Sequence, residues 1–167
     1  YQAISLRGGL ATLALLAVAM GQGLRLTGVA RGDWAVIGLR TLAEVAATVT
    51  FLTALLHMPL ANLSAILQSL PLLVTLGAAL VFGERIGWRR MLAISLGLVG
   101  VLLIIRPGTE GFDRWSVLGL LSVAGVVVRD LSTRKLSRAV PSVLVAICAS
   151  AAVTGLGLGG LGLTGWQ

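Results

Sequence analysis

The sequence predicts an all-α integral membrane protein, a polytopic bundle of six helices. Three observations carry this reading. Charged residues make up only 11% of the 167, where a soluble domain has roughly 25%. Mean hydropathy is +0.99, and 57% of the residues are hydrophobic. The charges are clustered, so Gly8–Leu24, Val45–Gly83, Met91–Ile105, Trp115–Val128 and Ala139–Gln167 carry none when His57 is neutral. These apolar runs are continuous and do not alternate with period two, against a β-barrel. A chain this apolar does not stay solvated as a disordered coil. The single cysteine, Cys148, excludes a disulfide scaffold.

The first span is Ile4–Leu24, with Arg7 near one end. The second is Trp34–Leu56, opening on a tryptophan, a ring that sits well at headgroup level. The charge-free gap Val45–Gly83 holds 39 residues, and one crossing takes about 20. It divides at His57-Met58-Pro59-Leu60, because proline disfavours helix at the residue before it and starts the next helix well. The third span is therefore Leu60–Phe82, with Gly83 as its terminating residue. The fourth, Trp88–Ile105, stops before Pro107 and Gly108. The fifth, Trp115–Leu131, is short and places Arg129 and Asp130 at the interface. The sixth is Val140–Leu163.

A net charge of +7 admits three readings: nucleic acid, anionic lipid, or topology. The Lys/Arg residues alternate between connections. The first, third and fifth hold nine together (Arg25, Arg31, Arg85, Arg89, Arg90, Arg129, Arg134, Lys135, Arg138). The opposite side holds Arg106 and Arg114, and Arg7 if it is counted there. The positive-inside rule places loops 25–33, 83–90 and 129–139 in the cytoplasm. The positives form no continuous stripe with interleaved aromatics, so nucleic acid is not an expected partner. On this topology the first span runs from outside to inside. With Tyr1 in place of a methionine, that predicts at least one helix upstream and several downstream.

From Trp34 to Pro107 the sequence resembles the first repeat of EamA-domain proteins, of the drug/metabolite transporter superfamily. The residues that carry the resemblance begin with the hairpin Ala54-Leu55-Leu56-His57-Met58-Pro59-Leu60-Ala61-Asn62 and the mid-helix Leu70-Pro71-Leu72. They continue with the turn Phe82-Gly83-Glu84-Arg85 and the run Gly97-Leu98-Val99-Gly100 to Arg106-Pro107-Gly108. The resemblance implies ten helices in two inverted five-helix repeats with both termini cytoplasmic. Residues 1–108 then resemble helices two to five, and 109–167 helices six and seven of the second repeat. The positive-inside orientation agrees with this arrangement. Pro59, Gly83 and Glu84 are similar to the family's hairpin signature. Glu44 and Gln68 depart from the pattern, since the family more often has small or apolar residues there.

Polar groups inside lipid are costly, and each is a candidate for function. Arg40 and Glu44 are four apart on the second span, hence on one face. They form either a charged cavity wall for a cationic solute or a proton, or a structural pair with Arg40 snorkelling. On the third span, Gln68, Pro71 and Thr75 fall on one side, and Asn62 lies nearer its start. Pro71 frees a backbone carbonyl at depth, which calls for water or protein partners. Interhelical hydrogen bonding is the alternative for these polar groups. Ala61, Ala65 and Ser69 recur every four residues, as do Ala151, Gly155 and Gly159, the spacing of small-residue packing faces. Arg7 is a candidate for an anionic solute or for lipid headgroups. His57 is expected at an outer turn without a partner.

Gly155-Leu156-Gly157-Leu158-Gly159-Gly160 matches a dinucleotide fingerprint but lies in an apolar span without βαβ context. Asn62-Leu63-Ser64 matches a glycosylation pattern inside a membrane segment. One histidine and one cysteine cannot make a zinc site, and no hydrolase or nucleotide-binding motif is present. No cofactor, metal or enzymatic activity is expected. Two functions remain. One is a secondary transporter of a small organic metabolite or drug-like solute in the cell membrane, with proton coupling and a homodimer left open. The other is a non-transporting membrane scaffold or assembly subunit.

Overall fold

The computed structural model describes residues 2–21, 30–105, 114–137 and 140–164. The chain is all helix there: α1 (Gln2–Gly21), α2 (Arg31–His57), α3 (Leu60–Leu67), α4 (Leu70–Phe82), α5 (Trp88–Ile105), α6 (Arg114–Lys135) and α7 (Ser142–Thr164). Residues 22–29, 106–113 and 138–139 lie outside the described residues. With them go Arg25, Arg106, Arg138 and the expected stop at Pro107 and Gly108. Arg7 falls within α1, but its side chain also lies outside the description. Four helical stretches are long and apolar enough to cross a membrane: Arg31–His57, Leu60–Phe82, Arg114–Lys135 and Ser142–Gly159.

The third span runs from Leu60 to Phe82 as expected, with a local irregularity at Gln68–Ser69 that separates α3 from α4. Both residues keep right-handed helical dihedrals, so the helix is bent and not ended, because Pro71 has no N–H to give to the Leu67 carbonyl and its ring crowds that carbonyl. The fifth and second spans have ends that differ from the sequence reading. The fifth span runs on through Arg129 and Asp130 to Lys135. Arg129 holds Asp130 at 2.8 Å, and Arg134 and Lys135 fall in the last turn, where cations suit the helix dipole. Most of the segment 129–139 is therefore helix and not loop. At the other end of its range α2 starts early, at Arg31. The Ala30 carbonyl accepts from the Asp33 and Trp34 amides at 3.0 and 3.3 Å, and Asp33 sits in the first turn, where an anion is favoured.

The described chain forms two units. One comprises Tyr1–Val45 and Ser132–Gln167, the other Ala46–Leu131. In the first, α1 and α7 pack along one another. Gly8 allows the approach: a Cβ there would lie 2.5 Å from Thr154 Oγ1. Around that point Thr12 Oγ1 and Ser150 Oγ lie 2.9 Å apart, and both are within reach of the Gly8 carbonyl, at 2.8 and 3.2 Å; with one proton each, one hydroxyl donates to the carbonyl and the other to its neighbour. Hydroxyls that satisfy one another across two helices are well suited to lipid. The sequence had suggested the face of Ala151, Gly155 and Gly159 for packing. Those residues are exposed, and nothing lies within 4 Å of a Cβ built at Gly155 or Gly159. Ser150 and Thr154 make the contact instead. A second cluster joins the start of α2 to the start of α7 through Ile37, Val140, Leu144 and Val145.

In the second unit the centre is Ile66 and Val123, both fully buried, with Leu67, Leu70, Leu73, Leu120 and Val127 packed around them. Small residues bring helices together here as well. A Cβ at Gly119 would meet Ile66 at 3.0 Å, and Leu72 lies directly over Gly97. Large side chains point outward: Leu56, Leu80 and Met20 are each more than three-quarters exposed, while Ala54 is fully buried. Large apolar side chains left on the outside suit a bundle whose solvent is hydrocarbon, since lipid gives no hydrophobic drive for burying every leucine.

Candidate functional site

The bend between α3 and α4 is built from three residues. Pro71 deprives α3 of a continuing bond. Ser69 lies at the irregularity: its amide donates to the Ile66 carbonyl at 3.0 Å, and its hydroxyl donates to the same oxygen at 2.6 Å. The Ser69 carbonyl then carries the helix on by accepting from the Leu72 and Leu73 amides, both at 3.0 Å. Ser69 is 1% exposed, so this exchange takes place within the packed interior. Gln68 and Pro71, by contrast, lie on the exposed side. The polar side chain and the proline are therefore presented together, away from Ser69.

Thr75 lies beyond the bend on α4 and is half-buried. It accepts a hydrogen bond at 3.2 Å from Nη2 of Arg90, in the first turn of α5. The sequence reading placed Arg90 only in a basic turn. Nothing in the local pattern pairs it with Thr75, because the contact depends on how α5 folds back along α4. Asn62 is exposed near the start of α3, and its amide bonds to the Pro59 carbonyl at 3.0 Å. Gly83 adopts the left-handed conformation (φ 66°, ψ 24°) at the end of α4, which glycine enters without a Cβ penalty. Glu84 follows it in the exposed turn.

On α2, Arg40 and Glu44 lie one turn apart, as their spacing requires. Arg40 Nε donates to Thr133 Oγ1 in the last turns of α6, at 2.9 Å. Its Nη1 is buried and has no hydrogen-bond partner, and the same holds for the hydroxyl of the adjacent Thr41. Glu44 is half-buried and is engaged in a contact of its own.

His57 is not isolated at its turn. It stacks on Trp115 with ring centroids 3.8 Å apart and planes 13° from parallel. Its Nδ1 lies 2.8 Å from the Thr53 carbonyl, so Nδ1 carries the proton of that bond. The Arg114 guanidinium also lies over Trp115, 4.8 Å from its centroid. The aromatic partner was hidden because 57 residues of chain separate the two rings. Among the described residues no cluster of three His, Cys, Asp or Glu side chains is placed to hold a metal. The glycine-rich run from Gly155 lies inside α7, a continuous helix with no strand-to-helix turn to cradle a phosphate.

Comparison with known proteins agrees with this architecture. The EamA-like transporter family model matches residues 1–106. The pseudopaline exporter CntI of Pseudomonas aeruginosa is 34% identical over 92 residues, covering 52% of this chain and 32% of that protein. A riboflavin transporter of Brucella anthropi is 28% identical over 100 residues, covering 60% and 35%. A riboflavin transporter of Rhizobium johnstonii is 29% identical over 87 residues, covering 52% and 29%. The matched stretch thus spans about a third of the length of these curated relatives. No solved structure gives a significant match. With a family match over more than half its length and four helical stretches able to cross a bilayer, the chain is a multi-pass membrane protein and belongs to the EamA-like transporter family.

Proposed function

We propose that the chain is part of a secondary transporter that moves a small organic solute across the cell membrane by alternating access. The observation that carries this is the α3–α4 bend. A 23-residue apolar span bends at Gln68–Ser69, where Pro71 leaves the Leu67 carbonyl without its usual donor. Secondary transporters bind solute near the midplane where spanning helices are irregular. Gln68, Pro71 and Thr75 are the binding element on this segment, with Asn62 nearer its start. Arg40 and Glu44 are a charged element on α2, and Arg7 is a further candidate on α1. Residues 1–108 correspond to helices two to five of a ten-helix, two-repeat protein, and 109–167 to helices six and seven. The basic segments 25–33, 83–90 and 129–139, the last mostly the end of α6, face the cytoplasm. No cofactor or enzymatic step enters this reading. No nucleotide-binding motif is present, so a solute or proton gradient supplies the energy.

The relatives are named for pseudopaline and for riboflavin, two different solutes, so the reading stops at the class of small organic solutes. The test is saturable flux of a broad labelled panel in proteoliposomes containing the full-length protein. Glu44→Gln is expected to abolish flux while leaving membrane insertion intact, and Gln68→Leu to change solute preference. Unchanged flux in Glu44→Gln removes that residue from the mechanism. Absence of saturable flux for every solute favours a scaffold.

A further inference from the structure

We propose that Arg40 and Thr41 form an oxyanion site on α2 that takes the carboxylate or phosphate group of an anionic solute. The inference rests on the transporter reading and narrows its substrate class. Among the described residues Arg40 is held by its Nε edge, which is committed to Thr133 Oγ1 at 2.9 Å. That bond fixes the plane of the guanidinium, while Nη1 remains buried with no acceptor. The neighbouring Thr41 hydroxyl is also buried and unpartnered. A threonine inside a helix ordinarily turns its hydroxyl back to a carbonyl one turn earlier, as Thr50 and Thr53 do on this same helix, each at 2.8 Å. Thr41 does not.

Two consecutive residues of one helix therefore hold buried donors in reserve. Leaving a buried donor unpaired costs about 1–3 kcal/mol, and more for a charged group. A ligand that supplies an acceptor recovers that cost on binding. Glu44 is the nearest carboxylate along α2, yet Nη1 has no bond to it, and Glu44 is engaged in its own contact. Glu44 lies one turn along α2, while the α6 side of the site is positive. Thr133, which positions Arg40, is followed directly by Arg134 and Lys135 in the last turn of α6. A planar guanidinium with a free Nη end matches a carboxylate or phosphate better than a neutral carbonyl.

Lipid phosphate offers the same chemistry. Arg40 lies nine residues beyond Arg31, the first residue of α2, about 13 Å along the helix, and its partner Thr133 adjoins the basic end of α6. Varying the lipid separates the two sources.

The experiment uses the full-length protein in proteoliposomes and three labelled solute classes. These are succinate, citrate and glucose 6-phosphate as anions, riboflavin as an uncharged solute, and tetraethylammonium as a cation. Saturable flux is expected for at least one anion. Arg40→Gln is expected to raise its KM at least tenfold, with Arg40→Lys recovering part of the loss and Thr41→Val raising KM about threefold. Flux of the uncharged solute, where present, should change less than twofold in the same variants. A purely structural Arg40 would lower every solute class alike, and that result overturns the proposal. Saturable flux confined to riboflavin or tetraethylammonium overturns it too, while leaving the transporter reading intact. Absence of any saturable flux overturns both. If Arg40→Gln fails to insert, Arg40→Lys and Thr41→Val decide by the same ratio of anion to neutral flux. Anion flux that changes only with the anionic lipid content of the vesicles, and not with these substitutions, assigns the site to headgroups and refutes the proposal.

Discussion

Replacing Gly8 measures how tightly α1 and α7 are joined. A Cβ at this position falls 2.5 Å from Thr154 Oγ1, and 3.4 Å from the Cα and Cβ of the same residue. The last two distances are ordinary contacts, so the whole conflict of an alanine is with one hydroxyl. That hydroxyl can rotate, but it then gives up its bond to the Ser150 carbonyl at 2.7 Å, worth about 0.5–1.5 kcal/mol. Alanine in mid-helix returns roughly 0.5–1 kcal/mol relative to glycine. The two terms nearly cancel, so Gly8→Ala should stay within about 1 kcal/mol of wild type. Valine is different. Its γ carbons extend beyond the Cβ toward a backbone atom that is already at contact distance and cannot rotate away. Overpacking of this kind costs about 1–3 kcal/mol, and the helices must separate to admit it. Thermal unfolding of the full-length protein in detergent reads the difference. Gly8→Ala should melt near wild type, Gly8→Val clearly lower, and Thr154→Ala should relieve part of the valine defect. A Gly8→Val protein that melts with wild type would show that α1 and α7 do not approach this closely, and the reasoning would fail.

Three further outcomes follow from the geometry. Pro71→Ala gives the Leu67 carbonyl back its donor and removes a penalty of up to about 3 kcal/mol in the helix; thermal stability should rise while solute flux falls, and a rise with unchanged flux removes the bend from the mechanism. Gly83→Ala forces a Cβ into a left-handed conformation (φ 66°) and should destabilise by about 1–2 kcal/mol, measured by the same melting assay. Trp115→Leu removes the ring on which His57 stacks and should cost about 0.5–1.5 kcal/mol beyond lost area; a double-mutant cycle with His57→Ala that gives no coupling energy contradicts the stack.

Much of the architecture was legible because lipid imposes simple rules on a chain. Each crossing needs a long apolar run, and the gaps between charges marked those runs directly. The start of α5 at Trp88 and the ends of α3 and α4 at Leu60 and Phe82 follow from local chemistry: proline before a helix, glycine after it. The extension of α6 to Lys135 is not legible locally, because clustered charge ordinarily marks the end of a span. Arg129 and Asp130 satisfy one another as neighbours, so the helix continues into the polar region. Pro71 was visible as a perturbation, but not its result. Whether a proline bends a helix or ends it depends on what satisfies the freed groups. Here the backbone stays helical through Gln68 and Ser69, and Ser69 donates twice to the Ile66 carbonyl from a buried position that the sequence describes only as one of several small residues.

The polar contacts were the least legible, for a physical reason. Arg90 with Thr75, Arg40 with Thr133, His57 with Trp115, and Thr12 with Ser150 each join different helices. Their meeting depends on rotation and depth, which apolar periodicity constrains weakly when every face of a helix is apolar. The sequence alone determined that this chain is an all-α, multi-pass membrane protein, where its charges cluster along the chain, and which family it resembles. Those properties are sums over composition and local spacing. Only the tertiary structure decided which small residues face one another, where the third span bends, and which donors of α2 are left without an acceptor. A donor's partner is a neighbour in space, and the sequence records only neighbours along the chain.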